Sequence, residues 1–283
     1  MIRLLLEAGA EVDAASDSGR TPLMEILNQT SHTRTIQAFQ IVKMLLMAGA
    51  DLDVKNKNGT SAREFFRPRR KDPPISKQFH EELLDALEYT FSNKQRSLGK
   101  EANPMNEQDW DLFFAACCGS VEDVRDALSK GANVEFRPSE DFTALMFAVF
   151  YNDADVVRCL IEEGHADLEA SVEGATALCF ALLTPTEDAS VVRVLIEAGA
   201  NIHVRGTADC TPLMIASSVP ETPDKMIALI EAGADVNEQR NGKDALVKAL
   251  EEGRFKNAKV LLAAGANQEL LSKYELEINL EGK

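Results

Sequence analysis

The stretch that decides the fold is "LIEAGANIHVRGTADCTPLM", residues 195–214, which runs from an aliphatic segment through a glycine into a Thr-Pro-Leu-Met start. A near copy, "LIEAGADVNEQRNGKDALV", occupies residues 229–247. A third copy, "LLLEAGAEVDAASDSGRTPLM", occupies residues 4–24. A chain that repeats one pattern in this way is built from tandem structural units.

The glycine of this pattern recurs at a nearly fixed period. The intervals between successive copies are 40, 82, 33, 35, 34 and 32 residues. Four consecutive steps within two residues of 33 are typical of a stacked repeat array. The glycines concerned are Gly9, Gly49, Gly131, Gly164, Gly199, Gly233 and Gly265.

Each unit predicts two helices. The first begins at Thr-Pro-Leu or Thr-Ala-Leu, with threonine as N-cap and proline at the first helical position, where its missing N–H is not needed. The second, such as "SVVRVLIEAG" (190–199), has apolar residues at helical spacing. Its glycine ends the helix in the left-handed conformation, and an extended "ADVN"-like turn leads to the next unit.

These units resemble the ankyrin repeat. The matching words are "TPLM" (21–24 and 211–214), "TALM" (143–146), "TALC" (176–179), "EAGA" (7–10, 197–200 and 231–234) and "GADVN" (233–237). The resemblance implies an all-α, ankyrin-type α-solenoid of about seven to eight units, including degenerate and partial ones. Helix–turn–helix units with hairpin-like loops would stack into a curved slab with one concave face.

One position departs from the family's pattern. The histidine that usually stands fourth in T-P-L-H is replaced by an apolar residue, and we expect this change to repack contacts between helix and loop without changing the fold. The substitutes are Met24, Met146, Cys179, Met214 and Val247.

We predict an N-terminal block at 1–97, a connection at 98–106 and a C-terminal block at 107–283 with a capping tail. The N-terminal block ends in a degenerate unit with an insertion at 67–74, and the two blocks could stack continuously or hinge. It begins with a partial repeat, because "MIRLLLEAG" (1–9) already reads as a second helix. We expect the apolar face of that helix to lie bare and the natural protein to begin earlier.

The charge of the chain is unevenly distributed. Residues 1–100 contain 15 Lys/Arg and 13 Asp/Glu, a net +2, whereas residues 101–283 contain 15 and 33, a net −18. A field of that sign repels phosphate backbones, so we expect no nucleic-acid partner. The acidity favours either solubility or a basic partner, and the sequence leaves both open.

Residues that could carry chemistry do not cluster. His32, His80, His165 and His203 lie in four different units without metal-ligand spacing, and Cys117-Cys118 is not a C-x-x-C motif. No apolar run reaches the roughly 18 residues that a membrane span needs. We therefore predict no metal, no cofactor, no membrane and no enzymatic activity.

The resemblance also points to candidate binding residues. In ankyrin-like arrays, the residues that follow the first helix face the concave side, and the hairpin tips adjoin them. By position, the helix-end candidates are Cys117, Cys118, Phe150, Tyr151, Leu183 and Val219, and the tip candidates are Arg137, Phe142, Arg205 and Arg240. Exposed aromatic residues and arginines favour protein binding. The alternatives are that the aromatic residues pack against a neighbouring loop and that the tips are ordinary polar surface.

The leading hypothesis is thus a cytoplasmic, monomeric protein–protein interaction module without catalysis. Its partner would be an unidentified protein or peptide, and the charge leaves a basic partner open. The alternative hypothesis is a regulatory or targeting segment of a larger enzyme whose catalytic domain lies upstream.

Overall fold

A computed structural model describes most of the chain. The described residues are 2–29, 41–42, 44–46, 48–65, 107–118, 120–137, 142–150, 153–184, 186–206, 209–220 and 223–269. Its contacts group the chain into two compact units, Met1–Glu140 and Asp141–Lys283. The predicted connection at 98–106 and the insertion at 67–74 lie outside the described residues, so the predicted block boundaries stay predictions.

The first unit contains short helices separated by turns. They are α1 (Ile2–Glu7), α2 (Pro22–Gln29), α3 (Ala62–Phe65), α4 (Glu107–Cys118) and α5 (Val121–Ser129), with further helical residues at 41–42 and 44–46. Helix α4 packs on α5, and α2 packs on α3. As the sequence predicts, Gly9 follows the first helical segment in the left-handed conformation, with φ 82°.

The second unit repeats one helix pair four times. The first helices are α6 (Ala144–Phe150), α8 (Ala177–Leu183), α10 (Pro212–Ser218) and α12 (Ala245–Glu251). The second helices are α7 (Ala154–Glu162), α9 (Ser190–Glu197), α11 (Pro223–Glu231) and α13 (Phe255–Ala263). First helices pack on first helices, and second helices on second helices, from each repeat to the next.

This packing buries the apolar side of every repeat against the next one, which is why the pattern must recur. The first helices of the second unit are buried on nearly all sides, whereas the second helices bury one side only. The residues that replace the T-P-L-H histidine are all in the core, with 0–2% exposure. The all-α solenoid architecture that the sequence predicts is confirmed.

The first helices of the second unit begin at a threonine N-cap as predicted, with two exceptions. Thr211 accepts a hydrogen bond at Oγ1 from the Met214 backbone N–H at 3.2 Å, and Asp244 takes the same role for α12. Thr176 makes no such cap; its hydroxyl donates to the Cys179 sulfur at 3.8 Å instead.

The second helices also end as predicted, with one exception. Gly199 has φ 94°, the left-handed conformation that costs other residues free energy. In the repeat that contains Gly164, the left-handed residue is His165, with φ 55°. The cause is an added residue: the Ala166 N–H reaches back six positions to the Leu160 carbonyl, whereas the equivalent Ala200 N–H reaches back five.

The loops that connect the repeats include short hairpins. Strands β1 (Ser171–Val172) and β2 (Ala175–Thr176) pair antiparallel across Glu173 and Gly174, both of which have positive φ. Two residues with positive φ form the tight turn that suits the twist of such hairpins. A similar bridge joins Arg240 to Lys243 across an Asn-Gly turn.

Hydrogen bonds also link the loops of consecutive repeats. The Asn201 backbone N–H donates to the Glu169 carboxylate at 2.8 Å, and the Asn267 N–H donates to the Asn237 Oδ1 at 2.7 Å. The Asp51 N–H donates in the same way to the Asp13 carboxylate. At these three steps, the polar residue of the "ADVN"-like turn therefore ties one loop to the next.

Candidate functional site

Two of the candidate binding residues lie at matching positions in adjacent repeats. Phe150 is the last residue of α6 and Leu183 is the last residue of α8, and both are half-buried. Helices α6 and α8 pack against each other, so these two side chains belong to one surface. That surface lies where the first helices end.

The side chains of the other helix-end candidates are either less exposed or outside the described residues. Cys117 is 2% exposed and Val219 is 9% exposed, so both side chains belong mainly to the core. Tyr151 lies outside the described residues, and so does the side chain of Cys118. Position alone identified these residues, and it did not predict which of them are buried.

Phe142, a candidate at a hairpin tip, packs within the second unit. Its ring centroid lies 6.1 Å from that of Phe147 and 5.4 Å from that of Phe180, in an edge-on and a tilted geometry. Phe147 belongs to α6 and Phe180 to α8, so the Phe142 ring bridges two repeats. Phe142 thus packs on two helices of its own unit, whereas the alternative of packing against a neighbouring loop concerned Phe150 and Tyr151.

The arginine candidates differ in exposure. The Arg205 side chain is 69% exposed and lies 3.7 Å from the Asp209 carboxylate. The Arg240 side chain is 22% exposed and pairs with the Glu238 carboxylate, while its Nε is buried without a hydrogen-bond partner among the described residues. Arg137 is half-buried. Arg205 therefore offers the most accessible cation of the three.

A residue that the sequence reasoning missed holds the end of α8. Lys225, in α11 of the following repeat, is fully buried. Its Nζ donates to the Ala181 carbonyl at 2.8 Å, to the Thr184 carbonyl at 2.7 Å and to the Thr184 hydroxyl at 2.6 Å. These oxygens belong to the last turn of α8, where helix carbonyls lack partners.

Asn257, in α13, holds the end of α10 in the same way. Its Nδ2 donates to the carbonyls of Ser217 at 3.0 Å and Val219 at 2.9 Å, and the residue is 1% exposed. The neighbouring Arg254 Nε donates to the Ser218 carbonyl at 3.0 Å. The end of each of these two first helices is therefore capped by the next repeat.

The local sequence explains why these two helix ends need such caps. The C-cap residues Thr184 and Val219 are extended, with ψ 130° and 139°, and a proline follows each in the sequence. Helix α12 ends instead near Gly253, at φ 66°, which lets the chain turn back. Where the backbone is extended directly after a helix, the last carbonyls of that helix must accept hydrogen bonds from donors elsewhere in the protein.

The signal for these caps is visible in the sequence once the repeats are aligned. Counting back eight residues from the glycines that follow α9, α11 and α13 gives Val191, Lys225 and Asn257. Val191 is buried and apolar, at 1% exposure. The cap is identified by two features together. One is a polar residue at this position of the second helix, and the other is a proline after the first helix of the repeat before it.

Burial perturbs two ionisable groups in this unit. Burial lowers the pKa of Lys225 to about 8, and the Asp188 carboxylate opposes part of that change. Burial also raises the pKa of the Cys179 thiol, which hydrogen bonds from Thr176 offset in part. Both groups sit in the core rather than in an open cleft.

The described residues contain neither a metal-ligand cluster nor a membrane-spanning helix. No group of three or more His, Cys, Asp or Glu side chains in the described ranges is placed to hold a metal ion. No helix within the described part of the chain combines the length and apolar character required to cross a bilayer.

Comparison with protein families agrees with this architecture. The family model "Ankyrin repeats (3 copies)" matches residues 112–206 and 186–271, and the model "Ankyrin repeat" matches residues 18–57. The chain belongs to the ankyrin repeat family. Ankyrin repeats are protein-interaction modules, so this membership implies protein partners and leaves their identity open.

Several larger ankyrin repeat proteins are similar to this chain. The ankyrin repeat and KH domain-containing protein mask-1 of Caenorhabditis elegans is 30% identical over 221 residues, which are 71% of this chain and 8% of that protein. ZDHHC13 of Danio rerio, whose name describes a palmitoyltransferase, is 23% identical over 60% of this chain and 32% of its own length. The ankyrin repeat protein R664 of Acanthamoeba polyphaga mimivirus is 35% identical over 97 residues. The chain thus spans a third or less of the length of the first two relatives.

Proposed function

We propose that this chain is a non-catalytic binding module that holds a basic segment of a partner protein. The proposed surface consists of the first-helix ends of the second unit, centred on Phe150 and Leu183, together with the adjoining hairpin tips. Phe150 and Leu183 present half-exposed apolar side chains at adjacent repeats. Farther along the same series of positions, Glu251 is exposed and acidic.

The observation that carries the proposal is the capping of the first-helix ends by the next repeat. Lys225 and Asn257 hold the last turns of α8 and α10 through hydrogen bonds of 2.6–3.0 Å. A surface that is already ordered loses less conformational entropy when it binds. The ends of α8 and α10 are thus suited to recognise a partner without rearrangement.

The charge of the chain supports a basic partner. Residues 101–283 carry a net charge of −18. Opposite charges speed the encounter of two proteins and are screened by salt. We therefore expect the association rate to fall as the ionic strength is raised from about 50 to about 500 mM.

The experiment selects partners from a random peptide library displayed on phage, with the full chain as bait. Selected peptides are then titrated against wild type, Leu183→Ala and Ile196→Ala. Leu183 and Ile196 are half-buried aliphatic residues of one repeat, but Ile196 lies in the second helix α9. The two variants thus lose similar packing and differ in the surface that they alter.

We expect the selected peptides to be rich in Lys and Arg and to bind Leu183→Ala at least tenfold more weakly than wild type, with Ile196→Ala close to wild type. Peptides of neutral composition, or equal binding by both variants, would place the site elsewhere. Absence of any selected peptide would count against peptide recognition as the function.

The alternative hypothesis, a regulatory or targeting segment of a larger enzyme, stays a prediction. The similarity to ZDHHC13 covers about a third of that protein, at 23% identity.

A further inference from the structure

Short connections join each first helix of the second unit to its second helix, and they begin where the proposed site lies. In the first three repeats, each connection carries two acidic residues and no basic one. These connections are residues 151–155, 184–189 and 219–224. The fourth connection, 252–256, carries one glutamate together with Arg254 and Lys256. The acidic character of the connections therefore belongs to three consecutive repeats.

Each of these three repeats presents an exposed carboxylate at its connection. They are Asp155, Glu187 and Asp224. The lysine that follows Asp224, Lys225, is fully buried, and its Nζ is occupied by the oxygens at the end of α8. The ion pairs described in this unit engage other carboxylates, namely Glu162, Asp209, Glu231, Glu238 and Glu251. The three exposed carboxylates are thus accessible to cations of a partner.

The packing of the helices sets the spacing of the connections. Consecutive first helices pack on each other, and so do consecutive second helices. Packed helices lie about 8–10 Å apart. Helices α6, α8 and α10 carry fully buried alanines at one shared position, Ala148, Ala181 and Ala216, and such small side chains allow a close approach. One acidic connection therefore follows another about every 9 Å.

One regular backbone conformation matches this step. A polyproline II helix has three residues per turn and rises about 3.1 Å per residue, so side chains at i, i+3 and i+6 lie on one side, about 9 Å apart. Side chains on one face of a β-strand are only about 6.6 Å apart. An α-helix advances about 9 Å in six residues, but at 3.6 residues per turn the side chains at i and i+6 point in different directions.

We propose that the connections of the first three repeats bind a partner segment in the polyproline II conformation, with Lys or Arg at every third position. Three successive basic residues pair with Asp155, Glu187 and Asp224, and apolar residues between them contact Phe150 and Leu183. The row ends at the fourth repeat, where Arg254 and Lys256 repel a further cation. This inference rests on the proposed function and adds the spacing and the conformation of the basic segment.

The test compares four fluorescein-labelled peptides of identical length and composition. Each has fifteen residues, with three arginines, two leucines and otherwise proline and serine. The arginines recur at every second, third, fourth or sixth position. Because all four peptides carry the same net charge, general electrostatic attraction contributes equally to them. Fluorescence anisotropy measures their binding to the full chain.

We expect the peptide with arginine at every third position to bind about tenfold more tightly than the other three. Only this peptide aligns all three cations with the three carboxylates, and each exposed pair contributes a factor of up to about five.

Paired charge reversals test which residues meet. Glu187→Lys should weaken binding of the every-third peptide about fivefold, and glutamate in place of its central arginine should restore binding to this variant. Asp224→Lys should be restored only by glutamate at one of the two outer arginines. Glu197→Lys is the matched control, because it makes the same charge change at an exposed residue at the other end of α9. We expect this control to bind like wild type.

Four results would overturn the proposal. They are equal binding of the four peptides, a preference for another spacing, no binding of any peptide up to 1 mM, and equal effects of Glu187→Lys and Glu197→Lys. Equal, tight binding of all four peptides would remove the every-third register and leave the proposed basic partner standing. The peptides selected from the phage library test the proposed function independently of this spacing.

Discussion

Replacing Lys225 by methionine should remove a pH dependence of stability that wild type has. Methionine keeps most of the side-chain volume but neither titrates nor donates. In the folded chain, burial lowers the pKa of Lys225 to about 8, whereas an unfolded lysine titrates near 10.4. Between these values the unfolded state binds more protons than the folded state. Because the free energy of unfolding rises with pH wherever that holds, wild type gains stability relative to the variant as the pH rises.

The size of the effect follows from the two pKa values. Integration from pH 7 to pH 10 gives a gain of about 2 kcal/mol for wild type relative to Lys225→Met. Urea denaturation at several pH values measures this difference, and groups common to both proteins cancel. Asn257→Ala is the control, because it removes the equivalent cap of the next repeat without removing a titrating group. A wild-type-minus-Lys225→Met difference that stays flat across this pH range would refute the buried-ammonium interpretation.

Three further predictions concern the second unit. Asn257→Ala should lower the free energy of unfolding by about 2 kcal/mol in urea denaturation, since it leaves buried carbonyls at the end of α10 without donors. Gly206→Ala should cost about 1–3 kcal/mol by the same assay, because the added Cβ would lie 2.8 Å from the Ile215 Cδ1 and 3.1 Å from the Cys179 sulfur; a neutral result would mean that these side chains move aside freely. Burial and the raised pKa of Cys179 predict that its thiol reacts with iodoacetamide far more slowly than the half-exposed Cys210 at pH 8, and equal labelling in a peptide map would contradict this.

The periodic part of the fold could be predicted because its determinants are local. Threonine and aspartate N-caps, proline at the first helical position and glycine at the helix end act within one turn of the chain. Thr211 and Gly199 perform the expected roles. His165 was missed because one added residue moves the left-handed position past Gly164, and the spacing of glycines alone does not register that change.

The candidate site was less predictable because side-chain exposure depends on neighbouring repeats. Cys117 and Leu183 stand at the ends of first helices, yet Cys117 is 2% exposed and Leu183 is half-buried. Phe142 was selected as a tip residue, and its ring contacts two phenylalanines of the same unit. Such contacts span 5 to 38 residues of sequence, so no local pattern predicts them.

The helix-end caps were missed for a different reason. Lys225 and Asn257 act on residues about 40 positions earlier, across a repeat boundary. In sequence order each looks like an ordinary polar residue of an amphipathic helix. Aligning the repeats with one another, rather than with a family pattern alone, would have shown these polar residues where α7 and α9 have Val156 and Val191.

The caps between repeats have a consequence for how these segments could be rearranged. A duplication or deletion that separates the "TPTED" segment at 184–188 from Lys225, or α10 from Asn257, would leave one helix end bare and would strand a polar group in the neighbouring core. The last three units are therefore not interchangeable parts. A viable recombination product should inherit each proline-ended helix together with the polar residue one repeat downstream, and designers who graft these units should move them as coupled pairs.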